Sequence, residues 1–498
     1  MKRKPRPLRA DAAGDAAQAG RAAIWPVWAA AAIAVITLVR SGFPINPSRW
    51  GYDDAYVTYR YASNLAHGLG FVFNPGERAV LGTSTPLYAL ALALGARFGA
   101  DIPTLSIALG SLATALTLAM IVLLARRAGT PAAGVAAALG WSLSPFTYRY
   151  VEGMETPVYM ALIVFALWAA TERRRMMALT LGALASLVRP DGLAVLAVVA
   201  GAIALQRRWS WPTALPAVIL LAAWIAYATL RFGSPIPASG LAKGALPDAI
   251  SGRFSLSSSQ CVELLAPALG LTGRSVPWVG PAAVGAGLAA AVLTGRSVRG
   301  ALALGAWVVL YLAGLSRLRL PDFSWYYAPM ALVVTLLVWM GLERLLARVS
   351  PALARPVILL GGIVLGALAF TLPVPVPFFE GTPAQWRAGL WLREHAPPGS
   401  TLAAYEIGMV SYASGLRTID LLGLTEPAAR PHLARGDYAW AIRERRPTWV
   451  FTNEPSAWPV TAAIYALPGF LEDYELAARF PFRADTDYLL FRRRVGAR

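Results

Sequence analysis

Up to about Leu372 the chain alternates long apolar blocks with short polar breaks rich in Arg, Gly and Pro. A membrane-spanning helix needs roughly 20 apolar residues, with a range of about 17–25. Candidate spans fall near Ile24–Val39, Thr104–Ala125, Pro131–Tyr148, Thr156–Ala170, Met177–Val188, Leu193–Leu205, Pro212–Leu230, Val279–Leu293, Ala301–Leu315, Ala328–Leu342 and Pro356–Leu372. That is about eleven, several of them short of full length. Beyond Leu372 the pattern changes. TPAQWRAGLWLREHAPPGS reads as a helix stopped at Pro397–Pro398–Gly399. TLAAYEI is strand-like, GMVSYASG helical and TIDLLGL a strand. Tyr438–Arg445 is helical before the strand TWVFTN, and ARFPF with DYLLFRR forms a closing hairpin. Alternating strands and helices predict a small α/β domain.

Composition supports the membrane reading. The 498 residues are 57% hydrophobic and 14% charged, against about 25% charged in soluble domains. The formal charge of +18 raises nucleic-acid binding as a possibility. Its distribution argues for topology instead, because basic residues mark cytoplasmic loops. With Lys2, Arg3, Lys4, Arg6, Arg9 and Arg21 inside, the clusters Arg126–Arg127, Arg173–Arg175, Arg207–Arg208, Arg296 with Arg299, and Arg344, Arg348 and Arg355 all follow. This holds only if the apolar stretch TPLYALALALGARFGA does not span. It is therefore expected along the outer interface as an amphipathic or re-entrant helix. The first span, with no small-residue cleavage site after it, reads as retained rather than as a signal peptide. The expected division is a basic cytoplasmic tail (1–23), a transmembrane domain (24–373) with a first external loop (41–103), and an extracytoplasmic α/β domain (374–498). The single Cys261 excludes an intramolecular disulfide, and His67, His395 and His432 are too scattered for a His-rich metal site.

The first loop carries the densest chemistry: GYDDAYVTYRYASNLAHGLGFVFNPGERAVLGTSTPLYALALA. Asp53 and Asp54 open a helix in which Tyr56, Tyr59 and Arg60 follow, and Asn64, His67 and Gly68 close it. Acidic side chains in a first turn are favoured by the helix dipole, so a capping role is the plain reading. Gly68, Gly70, Pro75 and Gly76 break regularity. Thr83, Ser84 and Thr85 lead into a second helix with Pro86 in its first turn.

This layout resembles the GT-C-fold glycosyltransferases, including protein O-mannosyltransferases and lipid A aminoarabinose transferases. DDAYVTYRYASNLAHGLGFVFNPGER…TSTPLY is similar in more detail to the actinobacterial terminal arabinofuranosyltransferase branch, which uses decaprenyl-phosphate arabinose. GMETPVY, LVRPDGL, FGSPIPASGLAK, WYYAP and the tail's IDLLGLTEP resemble the same branch. The resemblance implies a GT-C-like polytopic fold and a polyprenyl-phosphate-sugar donor. It also implies an acceptor on an envelope glycan, lipid or protein, and a catalytic carboxylate at Asp53.

The chemistry of the residues agrees with that expectation. A carrier-linked sugar already has a phosphate leaving group, so an inverting transfer needs one carboxylate base opposite it. Asp53 suits that base, with Asp54 orienting it or the acceptor. Alternatively the pair caps its helix, or holds a divalent cation through oxygen ligands, the one cofactor in view. Glu152 and Glu155 share a helix face and read either as a solvated helix start or as acceptor recognition. Arg189 and Asp191 flank the Pro190 turn near membrane depth and need partners, either each other or a substrate group. Phosphate recognition needs cations near the outer surface. Arg60, Arg78, Lys243, Arg317 and Arg319 are candidates, Lys243 foremost, with Tyr56 a further candidate for substrate or phosphate binding. Trp325, Tyr326 and Tyr327 form an interfacial aromatic belt or line the sugar site. No GxxxxGK[ST], HExxH or GxSxG motif is present. The competing readings are a lipid-glycan transporter or flippase and a glycan ligase or polymerase. A transporter is disfavoured because the motifs sit in external loops and no internal repeat is visible. The expected setting is the cytoplasmic membrane, with lipids and no nucleic acid as partners.

Overall fold

In a computed structural model the described residues are 24–41, 52–144, 153–207, 209–266, 276–295, 299–371, 383–456, 458–483 and 486–496. Glu152, Arg208, Arg296 and the basic residues before Ile24 lie outside them. The chain opens with α1 (Trp25–Arg40) and two loop helices, α2 (Asp53–Ala66) and α3 (Pro86–Arg97). The bundle continues with α4 (Ile102–Arg127), α5 (Pro131–Leu143), α6 (Thr156–Thr171), α7 (Arg175–Val188), α8 (Leu193–Leu205) and α9 (Trp211–Phe232). Short α10 (Ala238–Ala245) and α11 (Ser259–Leu265) precede α12 (Val279–Gly295), α13 (Arg299–Arg317), α14 (Ser324–Val349) and α15 (Pro351–Thr371). Each candidate span coincides with one of these helices over its described residues; positions 145–148 of the Pro131–Tyr148 candidate lie outside them. Five described helices are long and apolar enough to cross a membrane, and seven further apolar helices are shorter. The chain is a polytopic α-helical membrane protein.

Proline in the first turn starts α3, α4, α5, α6 and α9, where its missing N–H costs nothing. Small residues then let helices touch. On α15, Gly362 lies so close to α5 that an added Cβ would stand 2.5 Å from the Ala136 Cβ, and Gly366 meets Leu143 one turn on. This spacing of glycines supports close approach in lipid, where packing rather than water drives association. Thr37 and Ser142 share a hydrogen bond of 3.0 Å between α1 and α5. On α9, Leu215, Val218, Ile219, Ile225 and Leu230 are exposed, as a lipid-facing stripe requires.

The two ends of the bundle differ. The 26 residues of α4 extend about 39 Å. Near its start Ser106 bonds to Tyr59 of the loop and to Gly153. At its far end Arg127 pairs with Glu172, and Arg344 donates to the Ala128 carbonyl. Helix α3 has 12 residues, about 18 Å, too short to cross the ~30 Å hydrocarbon core. It buries Tyr88, Ala89, Leu92 and Ala93 against the bundle and exposes Leu90 and Leu94.

The tail is an α/β domain. Its elements are α16 (Ala384–His395), β1 (Thr401–Ala404), α17 (Gly408–Ser414), β2 (Arg417–Asp420), α18 (Trp440–Arg445), β3 (Trp449–Asn453), α19 (Pro459–Tyr465), β4 (Tyr474–Arg483) and β5 (Thr486–Arg493). The five strands form one sheet in the order β2-β1-β3-β5-β4, parallel across β2, β1 and β3 and antiparallel thereafter. Side chains alternate between its faces. Leu402, Ala404, Trp449, Phe451 and Leu490 pack on α16, α17 and the first loop's Tyr61, Phe71 and Phe73. Ala403, Val450, Leu489 and Phe491 pack on α18 and α19. TIDLLGL is a strand only as far as Asp420. There the Asp420 carboxylate accepts the N–H groups of Leu422 and Thr425 at 2.9 and 2.8 Å and folds the rest into a loop.

The tail is fastened to the first loop. Arg60 is buried and donates to the carbonyls of Phe73, Ser411 and Leu416 and to the Asn74 side chain. The Asn74 amide pairs with both backbone groups of Thr418, at 2.9 and 3.1 Å, and so closes the free edge of β2.

Candidate functional site

A cleft of about 500 Å³ lies where the loop, α10, the start of α14 and the tail meet. Asp53, Asp54, Lys243, Phe323, Trp325 and Glu406 are among its lining residues. Asp53 and Asp54 occupy the first turn of α2, whose N-cap residue Tyr52 makes no side-chain cap bond. Asp53 instead accepts the backbone N–H groups of Gly408 at 3.0 Å and Met409 at 2.7 Å, the first residues of α17. Burial pushes its carboxyl up to about 7. Glu406 and Asp54 add like charge, and the two N–H groups pull the other way.

Asp54 has a different partner, the Lys243 ammonium at 2.9 Å. Burial alone would lower that ammonium, but the Asp54 carboxylate holds it above its ordinary value. Lys243 also sits over the rings of Phe323 and Trp325, 5.4 and 5.5 Å from their centroids. Phe323 stacks on Trp325 at 4.5 Å, and Tyr52 meets Trp325 edge-on at 5.5 Å. A cation, two carboxylates and flat aromatic faces thus border one space.

Behind Trp325 lies a buried ion cluster. Arg189 bonds to Asp191 through Nε and Nη2, the latter at 2.8 Å, and to Glu155 at 3.2 Å. It also donates to the Trp325 carbonyl, and the rings of Tyr159 and Tyr326 flank it, each 5.3 Å away. The cluster ties α6, the α7–α8 turn and α14 together.

The remaining candidates lie elsewhere. Arg60 is occupied by the fastening bonds and does not reach the cleft. Arg78 lines a different cleft. Tyr56 is buried among Tyr59, Trp386 and Tyr412. Tyr327 stacks on Phe254 and donates to Asp322 at 2.6 Å. Glu152 lies outside the described residues.

Glu406 is the functional candidate that the pattern of the sequence hides. It is the last residue but one of the strand-like TLAAYEI and lines the cleft beside Asp53. Tyr488 and Gln385 both donate to its Oε2, Gln385 at 3.1 Å. The one signal was an acidic residue inside an apolar strand-to-helix junction.

Of the four oxygens of the Asp53–Asp54 pair, both from Asp53 accept backbone N–H groups and Oδ2 of Asp54 accepts the Lys243 ammonium. Among the described residues, His432, Asp437 and Glu444 bring three donor atoms together. Arg443 bonds both of those carboxylates there.

The architecture is that of the GT-C class of membrane proteins, a helical bundle whose first loop lies against a C-terminal sheet domain. ArnT from Cupriavidus metallidurans in the apo state superposes with a TM-score of 0.56 at 14% identity, covering 94% of this chain and 97% of that one. ArnT bound to undecaprenyl phosphate gives 0.55 at 14% identity with the same coverage. The Archaeoglobus fulgidus oligosaccharyltransferase, tethered with an acceptor peptide containing the NVT sequon, gives 0.54 at 14% identity, covering 91% and 72%. Residues 379–491 match a family described as a domain of unknown function, DUF8728. No curated protein sequence matches the chain.

Proposed function

We propose that the protein transfers a sugar from a polyprenyl-phosphate carrier to an envelope acceptor at the outer face of the cytoplasmic membrane. The observation that carries this reading is the meeting of Asp53, Asp54, Lys243 and Trp325 in one cleft at the tail-domain end of the bundle. Two solved relatives in fold support it, one bound to undecaprenyl phosphate and one to an acceptor peptide. The Arg-rich turns at the opposite end support an outward placement of this cleft.

The acceptor oxygen attacks the anomeric carbon as the bond from that carbon to the phosphate oxygen breaks. The polyprenyl phosphate leaves and the acceptor proton passes to Asp53. A general base works best with a pKa near the operating pH, and about 7 meets that condition. Lys243 exchanges Asp54 for the donor phosphate, and Trp325 with Phe323 packs on the sugar ring. Glu406 fixes the charge environment of Asp53 from the tail side. Glu155, Arg189 and Asp191 hold Trp325 in position. No step requires a divalent cation.

Resemblance of the first loop favours a pentosyl donor such as arabinofuranose, with a mannosyl-type hexosyl donor second. The polar groups gather at one end of the bundle rather than along its middle, which favours an enzyme over a transporter. The test is transfer by the purified protein in detergent, using short polyprenyl-phosphate pentose and hexose donors and an envelope extract as acceptor. Release of polyprenyl phosphate together with a labelled acceptor supports the reading; binding without turnover of any donor overturns it. Mass spectrometry of envelope glycans from a deletion strain identifies the sugar.

A further inference from the structure

A second cleft, of about 580 Å³, opens on the other side of α10 and of the tail loop after β2. The two clefts share walls without sharing a lining residue. Helix α10 gives Lys243 to the first and Ala238 and Leu241 to the second. The tail loop gives Leu422 and Leu424 to the first and Thr425 and Glu426 to the second. Gly82 permits this seam, since a Cβ there would stand 2.7 Å from both the Thr425 methyl and the Tyr61 hydroxyl.

The second cleft is rich in guanidinium groups. Arg78, Arg417, Arg430 and Arg445 line it with Glu77 and Glu426. Arg417 pairs with Glu77. Arg430 makes one long bond, 3.4 Å, to the Ala238 carbonyl, and its buried Nε has no partner among the described residues. Arg78 and Arg445 stand exposed on the rim and have no hydrogen-bond partner there among the described residues. Burial raises the Glu426 carboxyl despite the opposing Arg445. Guanidinium forks without acceptors in a concave space match the paired oxygens of a phosphate. The flank is apolar: Phe232 ends α9, a span, and Ile236 follows it exposed. A charged pocket beside the end of a span faces the headgroup layer.

We propose that this second cleft binds a phosphate ester at the membrane surface, with Arg78, Arg430 and Arg445 holding the anion and Phe232 and Ile236 meeting its apolar part. The site is separate from the transfer chemistry at Asp53 and stands or falls without it. The test is binding to the full chain in neutral detergent with two probes, soluble glycerol phosphate and short-chain phosphatidylglycerol. At least one should bind, and the Arg78→Ala, Arg445→Ala double variant should weaken it at least about tenfold, as loss of charge-assisted hydrogen bonds implies. Arg479→Ala, at a surface ion pair with Glu454 that lines neither cleft, should leave that affinity unchanged. Binding of both probes shows that the phosphate alone is recognised. Phosphatidylglycerol alone shows a lipid headgroup site, and glycerol phosphate alone a site for a free ester. If the double variant melts early, Arg445→Gln on the exposed rim carries the test. Absence of binding by both probes, or equal binding by the arginine variants, overturns the proposal.

Discussion

Asp53 accepts the backbone N–H of Met409 at 2.7 Å across a sequence separation of 356 residues. An acidic side chain at a helix N-terminus is worth about 0.3–1 kcal/mol at a surface and up to ~2 when partly buried. Here the acid and the helix belong to different domains. The candidate base therefore also seats the tail on the first loop, and chemistry and domain placement meet in one carboxylate.

Gly408 tests that seat. A Cβ at this position would stand 1.8 Å from the Asp53 carbonyl oxygen, closer than any real contact. Gly408→Ala must push α17 away from α2. Overpacking of this kind costs about 1–3 kcal/mol. A lower melting temperature in detergent, together with a loss of turnover larger than the unfolded fraction explains, is the expected result. Native melting and native turnover would show that the seam has no role.

Arg189 is a different kind of prediction, because its neighbours are two carboxylates. Its side chain is 5% exposed and that of Glu155 8%. Removing one partner of a buried ion cluster costs about 3–5 kcal/mol, since the remaining charges lose their compensation. Arg189→Ala should destabilise the bundle by that order. Arg189→Lys should rescue only in part, because one ammonium cannot reproduce the forked contact with Asp191. Thermal melting of the two variants decides this, and equal stability of all three proteins would refute it.

Lys243→Ala should raise the KM for a polyprenyl-phosphate donor at least about tenfold, the loss of one charge-assisted contact. A KM within twofold of native would move the phosphate site to another cation.

The spans and the strand order along the tail were legible because both rest on local periodicity. Apolar blocks mark α4, α9 and α14, and short apolar runs mark β3 and β5. Asp53 and Lys243 were legible as chemistry, but their partners were not. Arg60 has the look of a phosphate ligand in sequence, yet three of its acceptors are backbone carbonyls, which carry no side-chain signature. Glu406 resembled any strand-end acid until the sheet set it beside Asp53. The Asp53 contacts join segments more than three hundred residues apart and the Lys243–Asp54 pair segments 189 apart, where sequence pattern holds no information.

Asp53→Asn is the decisive experiment, and pH gives it two independent readouts. As a base Asp53 must be ionised, so turnover should climb as pH rises through about 7 and level off above it. Stability should run the other way. Between the ordinary carboxyl value of 3.8 and about 7 the folded protein keeps a proton that the unfolded chain has lost. The unfolded state then binds fewer protons, so stability from this group falls as pH rises across that window. Asparagine keeps the size and one acceptor oxygen, but turns an amide N–H toward one of the two backbone donors. Turnover should fall by at least about two orders of magnitude, within the 10²–10⁴-fold contribution of a positioned base. Donor binding should change little, since Lys243 remains. The rise of turnover through about 7 and this part of the stability slope should vanish together in the variant. A variant that loses the slope but keeps native turnover would leave Asp53 as a cap for α17 only, and would direct the search for the base to Asp54 and Glu406.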